Sequence, residues 1–204
     1  MKQTLIKTAV VIFALSISLS SCKKDKVETK NSFKYNQKES EIGTAMGFQY
    51  GVLDGGIYGI GMEFFEKTFT VHYVNSLPDS LSGIGDILEL TFLTNNQTQI
   101  ASGVYNFLDL NTATSFKAFS IVSITGSGLF VNVDPIGSNN SAAIEITGGK
   151  VTVTKNADEY EFTFDLKTNV NSTITGYYKG KPVLYAGGKK KSTTSTNGFF
   201  NPFK

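Results

Sequence analysis

From Glu159 to Leu166 the chain alternates without a break. Tyr160, Phe162, Phe164 and Leu166 share one parity, and Glu159, Glu161, Thr163 and Asp165 share the other. A period of two separates apolar from polar side chains only on an extended strand, where successive side chains point to opposite faces. Val151 and Val153 continue the pattern upstream, but Ile144 and Ile146 fall on the opposite parity. Their apolar face is kept only if the register changes, and Gly148-Gly149 is where a bulge is expected. The spacing predicts Val153 opposite Tyr160 across a loop from Lys155 to Asp158. It also predicts Leu166 opposite Ile174 around Asn169-Val170-Asn171. The result is an antiparallel meander with one apolar face.

The rest of the chain follows the same chemistry. Ser32-Phe33-Lys34-Tyr35 alternates as a short strand that turns at Asn36-Gln37-Lys38. Asp54-Gly55-Gly56 is a turn signal between extended runs at residues 43–52 and 57–65. Phe69, Val71 and Tyr73 mark a half-buried strand, and residues 76–85, with Pro78, read as the longest loop. Further strands are expected at residues 87–93, 103–107, 116–124 and 129–133, with a polar turn region at 135–141. No segment carries a helical stripe, and the 16 Phe, 9 Tyr and 20 Gly suit strands and bends. These features predict one all-β domain over residues 32–186: an antiparallel sandwich or flattened barrel of about 10–11 strands, closing with the meander.

The N-terminal end carries a different signal. Lys2 and Lys7 precede an apolar run from Ala9 to Leu19, and then come Ser20, Ser21 and Cys22, the one cysteine of the chain. A run of eleven residues is too short for a bilayer-spanning helix, which needs roughly 20, and fits the core of an export signal. Leu19-Ser20-Ser21-Cys22 resembles a bacterial lipobox. That resemblance implies cleavage between Ser21 and Cys22, lipidation of the Cys22 sulfur, and a bilayer as the first partner. Acyl chains contribute about 0.8 kcal/mol per buried methylene, so two or three anchor a protein durably. Residues 1–21 then form a signal peptide, and residues 22–31 a polar tether. Lys23, in place of an aspartate, resembles the sorting pattern of outer-membrane lipoproteins. The Cys-Lys-Lys-Asp-Lys start resembles exported Bacteroidetes lipoproteins. The terminal meander is similar to the closing hairpins of small all-β lipoproteins of that group, a likeness that brings no activity with it. It implies a place at the outer membrane, on its periplasmic face or the cell surface. In that setting Asp79-Ser80-Leu81 matches an O-glycosylation pattern at Ser80.

Charge narrows the remaining choices. Residues 31–186 carry nine lysines against fifteen acidic residues, and the chain contains no arginine. An acidic domain without the guanidinium fork is a poor nucleic-acid reader. His72 is the one histidine, with no second ligand nearby in sequence for metal chemistry and no Gly-x-Ser-x-Gly elbow to serve. Glu159, Glu161 and Asp165 line the polar face of their strand, where solvated acids are expected. Gly55, Gly56, Gly59 and Gly61 lack the lysine and helix of a phosphate loop. No cofactor is implied. Residues 187–204, with Lys189, Lys190, Lys191 and three phenylalanines, read as a flexible tail. The expectation is a non-catalytic binding or structural module on the envelope, with a protein or glycan partner. The alternative is a barrel that carries a small apolar ligand, and a more remote one is a carbohydrate-active enzyme.

Overall fold

The computed structural model describes residues 29–123, 128–136 and 143–186. Among them are fourteen strands and no helix. These are β1 (Ser32–Tyr35), β2 (Lys38–Asp54), β3 (Ile57–Glu66), β4 (Thr70–Val74), β5 (Leu77–Ser82), β6 (Gly85–Thr94) and β7 (Gly103–Phe107). They continue with β8 (Ser120–Val122), β9 (Gly128–Val133), β10 (Ala143–Ile144), β11 (Ile146–Asn156), β12 (Glu159–Thr168), β13 (Thr173–Gly180) and β14 (Val183–Tyr185).

Nine strands close into a barrel in the order β6-β3-β2-β1-β13-β12-β11-β7-β8 and back to β6. Strands β8 and β9 share one edge of β6, pairing with residues 91–93 and 85–89. Closure involves a parallel contact between β7 and β8. Parallel neighbours cannot be joined by a tight turn, which accounts for the long connection over residues 108–119. A second parallel pairing places β14 beside residues 46–48 of β2. The sheet is therefore not purely antiparallel, as the sequence pattern suggested.

The meander forms as expected in parity and differs in one register. Leu166 lies opposite Ile174, and the β11 ladder shifts between Ile146 and Gly148. Gly149 sits there at φ +95, where a Cβ would lie 2.2 Å from the Asp165 carbonyl oxygen. Tyr160, however, pairs with Lys155, and Val153 pairs with Phe162. Ala157 takes a left-handed φ of 53, so a two-residue turn replaces the longer loop and the ladder runs on to Asn156 and Glu159.

The segment read as a long loop is in fact β5. Asn75 and Ser76 both adopt positive φ, the geometry of a tight hairpin turn, and β5 folds back on β4. Pro78 is tolerated because this is a two-stranded ribbon with a register shift beside it.

Aromatic rings fill the barrel. Phe64 meets Phe162, Phe164 and Tyr178 edge-on at centroid distances of 5.3, 5.0 and 5.5 Å. Phe92 meets Tyr105 at 5.2 Å, and the Tyr105 hydroxyl donates to the Ala101 carbonyl at 2.9 Å. A second, smaller core lies outside the barrel wall. There the β4–β5 hairpin lays Phe69 and Leu81 over Met46, Phe65, Ile87, Phe130 and Val133.

Candidate functional site

The inward alternation of Ile60, Met62 and Phe64 on β3, and of Leu88, Leu90 and Phe92 on β6, fixes what faces outward. Gly61, Glu63 and Phe65 do so on β3, and Ile87, Glu89 and Thr91 on β6. The ladder sets Glu63 directly opposite Glu89 and Gly61 opposite Thr91. Both glutamates are buried, at 4% and 6% exposure, so this is not a solvated acidic face.

Tyr50 completes the cluster from β2. Its ring lies over Gly61, where a Cβ would come within 2.2 Å of the Tyr50 hydroxyl oxygen. Only a glycine admits this close approach. Burial pushes the Tyr50 hydroxyl well above its ordinary range, and the charges of Glu89 and Glu63 push it further. The neighbouring Thr91 hydroxyl is buried without a partner in good hydrogen-bond geometry. Carboxylates on adjacent strands are the type of pair that glycosidases use on either side of a sugar bond. Here both are buried in the wall.

A second buried charge ties strands together. Asp86, 3% exposed, accepts hydrogen bonds from Lys38 Nζ at 2.8 Å, Ser40 Oγ at 2.8 Å and the Asn132 amide at 3.0 Å. Its own amide donates to Glu66 Oε2 at 2.8 Å. Burial draws the Lys38 ammonium down, and the hydrogen bond and charge of Asp86 more than offset this, leaving it raised. Every oxygen of Asp86 is satisfied, which marks the knot as structural.

Comparisons with family models, characterised proteins and solved structures return no match. The site therefore rests on its own geometry.

The residues singled out in the sequence do not converge. His72 is exposed, and its Nε2 lies 2.8 Å from Ser82 Oγ on the next strand. Glu159 and Glu161 pair with Lys179 at 3.3 and 2.5 Å on the outer surface. The Glu161 carboxyl is held below its usual range by the Lys179 hydrogen bond. Asp165 is exposed. Gly55 and Gly56 form the β2–β3 turn. Ser80 is exposed, and it lies on β5 opposite His72 rather than in a loop. Ser21, Cys22 and the tail 187–204 lie outside the described residues. Among the described residues no group of three His, Cys, Asp or Glu could hold a metal. Sequence reasoning missed Glu63 and Glu89, although a signal existed: each is a single acid inside an apolar run.

The chain enters and leaves the barrel on one seam. Entry is at β1, which pairs with residues 38–41 of β2, and exit is at β14, which pairs with residues 46–48 of the same strand. Asn31 clasps the entry: its side-chain amide donates to the Lys179 carbonyl and its side-chain oxygen accepts from the Lys179 amide, at 2.9 and 2.7 Å. Lys30 and Lys67 both bridge to Glu41 there, and their hydrogen bonds hold its carboxyl below the ordinary range.

Proposed function

We propose that this chain is a lipid-anchored, non-catalytic β-barrel module of the outer cell envelope. Cys22 carries the acyl chains, and the barrel binds a protein or glycan partner through its outer surface, on the periplasmic face or at the cell surface. The observation that carries the reading is the interior: Phe64, Phe162, Phe164 and Tyr178 occupy the middle of the barrel and pack on one another. Binding then falls to the outside of the molecule. The buried state of Glu63 and Glu89 supports the non-catalytic part.

The carrier of a small apolar ligand stays as a second reading because the strands do close into a ring. One experiment separates the two. The full chain is expressed in a Gram-negative host, purified in detergent and weighed by native mass spectrometry. The expected mass is that of residues 22–204 plus a diacylglyceryl group and a further acyl chain, with nothing else bound. A further small molecule released on mild activation moves the assignment to the carrier. An unmodified Cys22 removes the anchor.

A further inference from the structure

The β4–β5 hairpin ends in an exposed apolar tip. Tyr73, Val74 and Leu77 are 51%, 55% and 60% exposed, and Val74 and Leu77 face each other across the ladder at the turn. The hairpin root is buried by Phe69 and Leu81, so the tip is presented on a fixed support.

The hairpin also lies along the seam where the chain enters and leaves. At its root, the Lys67 amide donates to the Glu41 carbonyl at 2.8 Å, and Glu41 is bridged to Lys30 at the point of entry. At its tip, Tyr73 lies beside Tyr185 of β14, the point of exit, and Tyr185 stacks on Phe48 at 5.7 Å. Root and tip thus bracket the stretch of β2 from Glu41 to Phe48. Strands rise about 3.3 Å per residue, so the hairpin and this stretch are of similar length.

The tether limits how far this side can stand from a membrane. Thr29 lies seven residue steps beyond Cys22, and a fully extended chain spans at most roughly 3.3–3.6 Å per residue. The entry point is therefore held within about 25 Å of the bilayer surface. Lys30 and Lys67, 57% and 60% exposed at the side chain, and Val183, 52% exposed, lie on this same side. The two lysines flank the root of the hairpin, each bridged to Glu41, so the exposed apolar tip itself is what a lipid interface would take up.

We propose that the β4–β5 hairpin dips its tip, Tyr73, Val74 and Leu77, into the interface of the same bilayer that holds Cys22, fixing the orientation of the barrel on the membrane. This rests on the lipid-anchor reading above. His72 and Asp79, both exposed and set back from the turn, stay at headgroup level and limit the depth. The hairpin then acts as a second foot, and the β12–β13 turn at Asn171, which meets the β1–β2 turn through Ser172 and Asn36 at the other end of β2 from the tip, faces away from the lipid.

The test uses the full chain with Val74→Cys carrying an environment-sensitive fluorophore. It is processed in the host and reconstituted into vesicles of phosphatidylethanolamine and phosphatidylglycerol in a three-to-one mixture. Leu77→Cys is the second labelled site, and Asn171→Cys is the far-side control. The expected result is a blue shift at positions 74 and 77, quenched by lipids brominated near the headgroup, with neither effect at position 171. A lipidated protein whose labels at 74 and 77 stay wet overturns the proposal and leaves the anchor intact. A blue shift that no brominated lipid quenches and that grows with protein concentration also overturns it, because a second copy then covers the tip. Loss of vesicle association together with an unmodified Cys22 mass is failure of the anchor reading itself.

Discussion

The two walls of β3 and β6 come from the same stretch of chain and follow different rules. On the inner wall Ile60, Met62, Phe64, Leu88, Leu90 and Phe92 are all apolar and at most 2% exposed. On the outer wall Glu63, Glu89 and Thr91 are also buried, yet they are polar, and two of them are carboxyl groups set opposite each other across one rung of the ladder. Inner contacts are non-directional and scale with area. Outer contacts depend on orientation and on what each charge meets. Burial alone therefore does not define a core. The inner wall explains why the barrel holds, whereas opposed like charges on neighbouring strands cost stability. An enclosed polar cluster of this kind is the more informative observation about function.

If the inner wall is the stabilising one, the ring that meets three aromatic neighbours should be costly to lose. Phe64→Ala removes a side chain in contact with three aromatic neighbours, and it is expected to cost about 3–5 kcal/mol. Denaturant unfolding of the purified protein checks this, and a loss below 1 kcal/mol would mean that the interior collapses onto the gap. Next comes the Asp86 knot. Asp86→Ala leaves Ser40, itself 1% exposed, without its acceptor and Lys38 with its longer bridge to Glu66 at 3.8 Å. The expected loss is about 2–3 kcal/mol, the range for hydrogen bonds to charged groups. Asp86→Asn, which keeps part of the acceptor set, should recover some of it.

The difference between the walls also explains what could be read from sequence. The inner wall was legible because period-two alternation is a local property: the meander, the Gly148-Gly149 bulge and the Leu166–Ile174 register all follow from it. Closure was not legible, since the β7–β8 and β14–β2 contacts are parallel and leave no turn signal. Strand β5 was hidden because Pro78 and the short polar residues near it read as a loop. Only the left-handed pair Asn75 and Ser76 turns that segment back. The outer cluster needs three strands in register before Tyr50, Glu63, Glu89 and Thr91 meet, and no local pattern encodes that. The lipobox-like stretch Leu19-Ser20-Ser21-Cys22 is the opposite case, a purely local pattern that the barrel geometry neither helps nor hinders.

A further effect comes from the buried tyrosine hydroxyls that line the interior. Burial raises Tyr105 and Tyr178 to about 12 each, against roughly 10 in an unfolded chain. Their folded pKa is the higher one, so their contribution is complete below pH 10 and is lost as pH rises toward 12. Unfolding midpoints should fall steeply across that window. Tyr178→Phe should flatten the fall while leaving the neutral-pH midpoint close to that of the parent chain. An equal alkaline slope in both proteins would show that Tyr178 is not the group being titrated.

The smallest change bears most directly on the outer wall. Glu63→Gln keeps the shape of the side chain and removes one of two charges opposed across the ladder. Like charges at directly opposite cross-strand positions cost roughly 0.2–1 kcal/mol, so the variant should be more stable by that amount. For a domain of this size this is a rise of about 0.4–4 °C in Tm. Glu89→Gln should do the same. The double variant should gain little beyond either single one, because the repulsion is already gone once one partner is neutral, and residues in contact are not additive. That non-additivity separates relief of charge from a general effect of amide substitution, which would add. If both single variants instead lose several degrees, the carboxylates are held by hydrogen bonds that only the charged form accepts. The outer wall would then stabilise the barrel as the inner wall does.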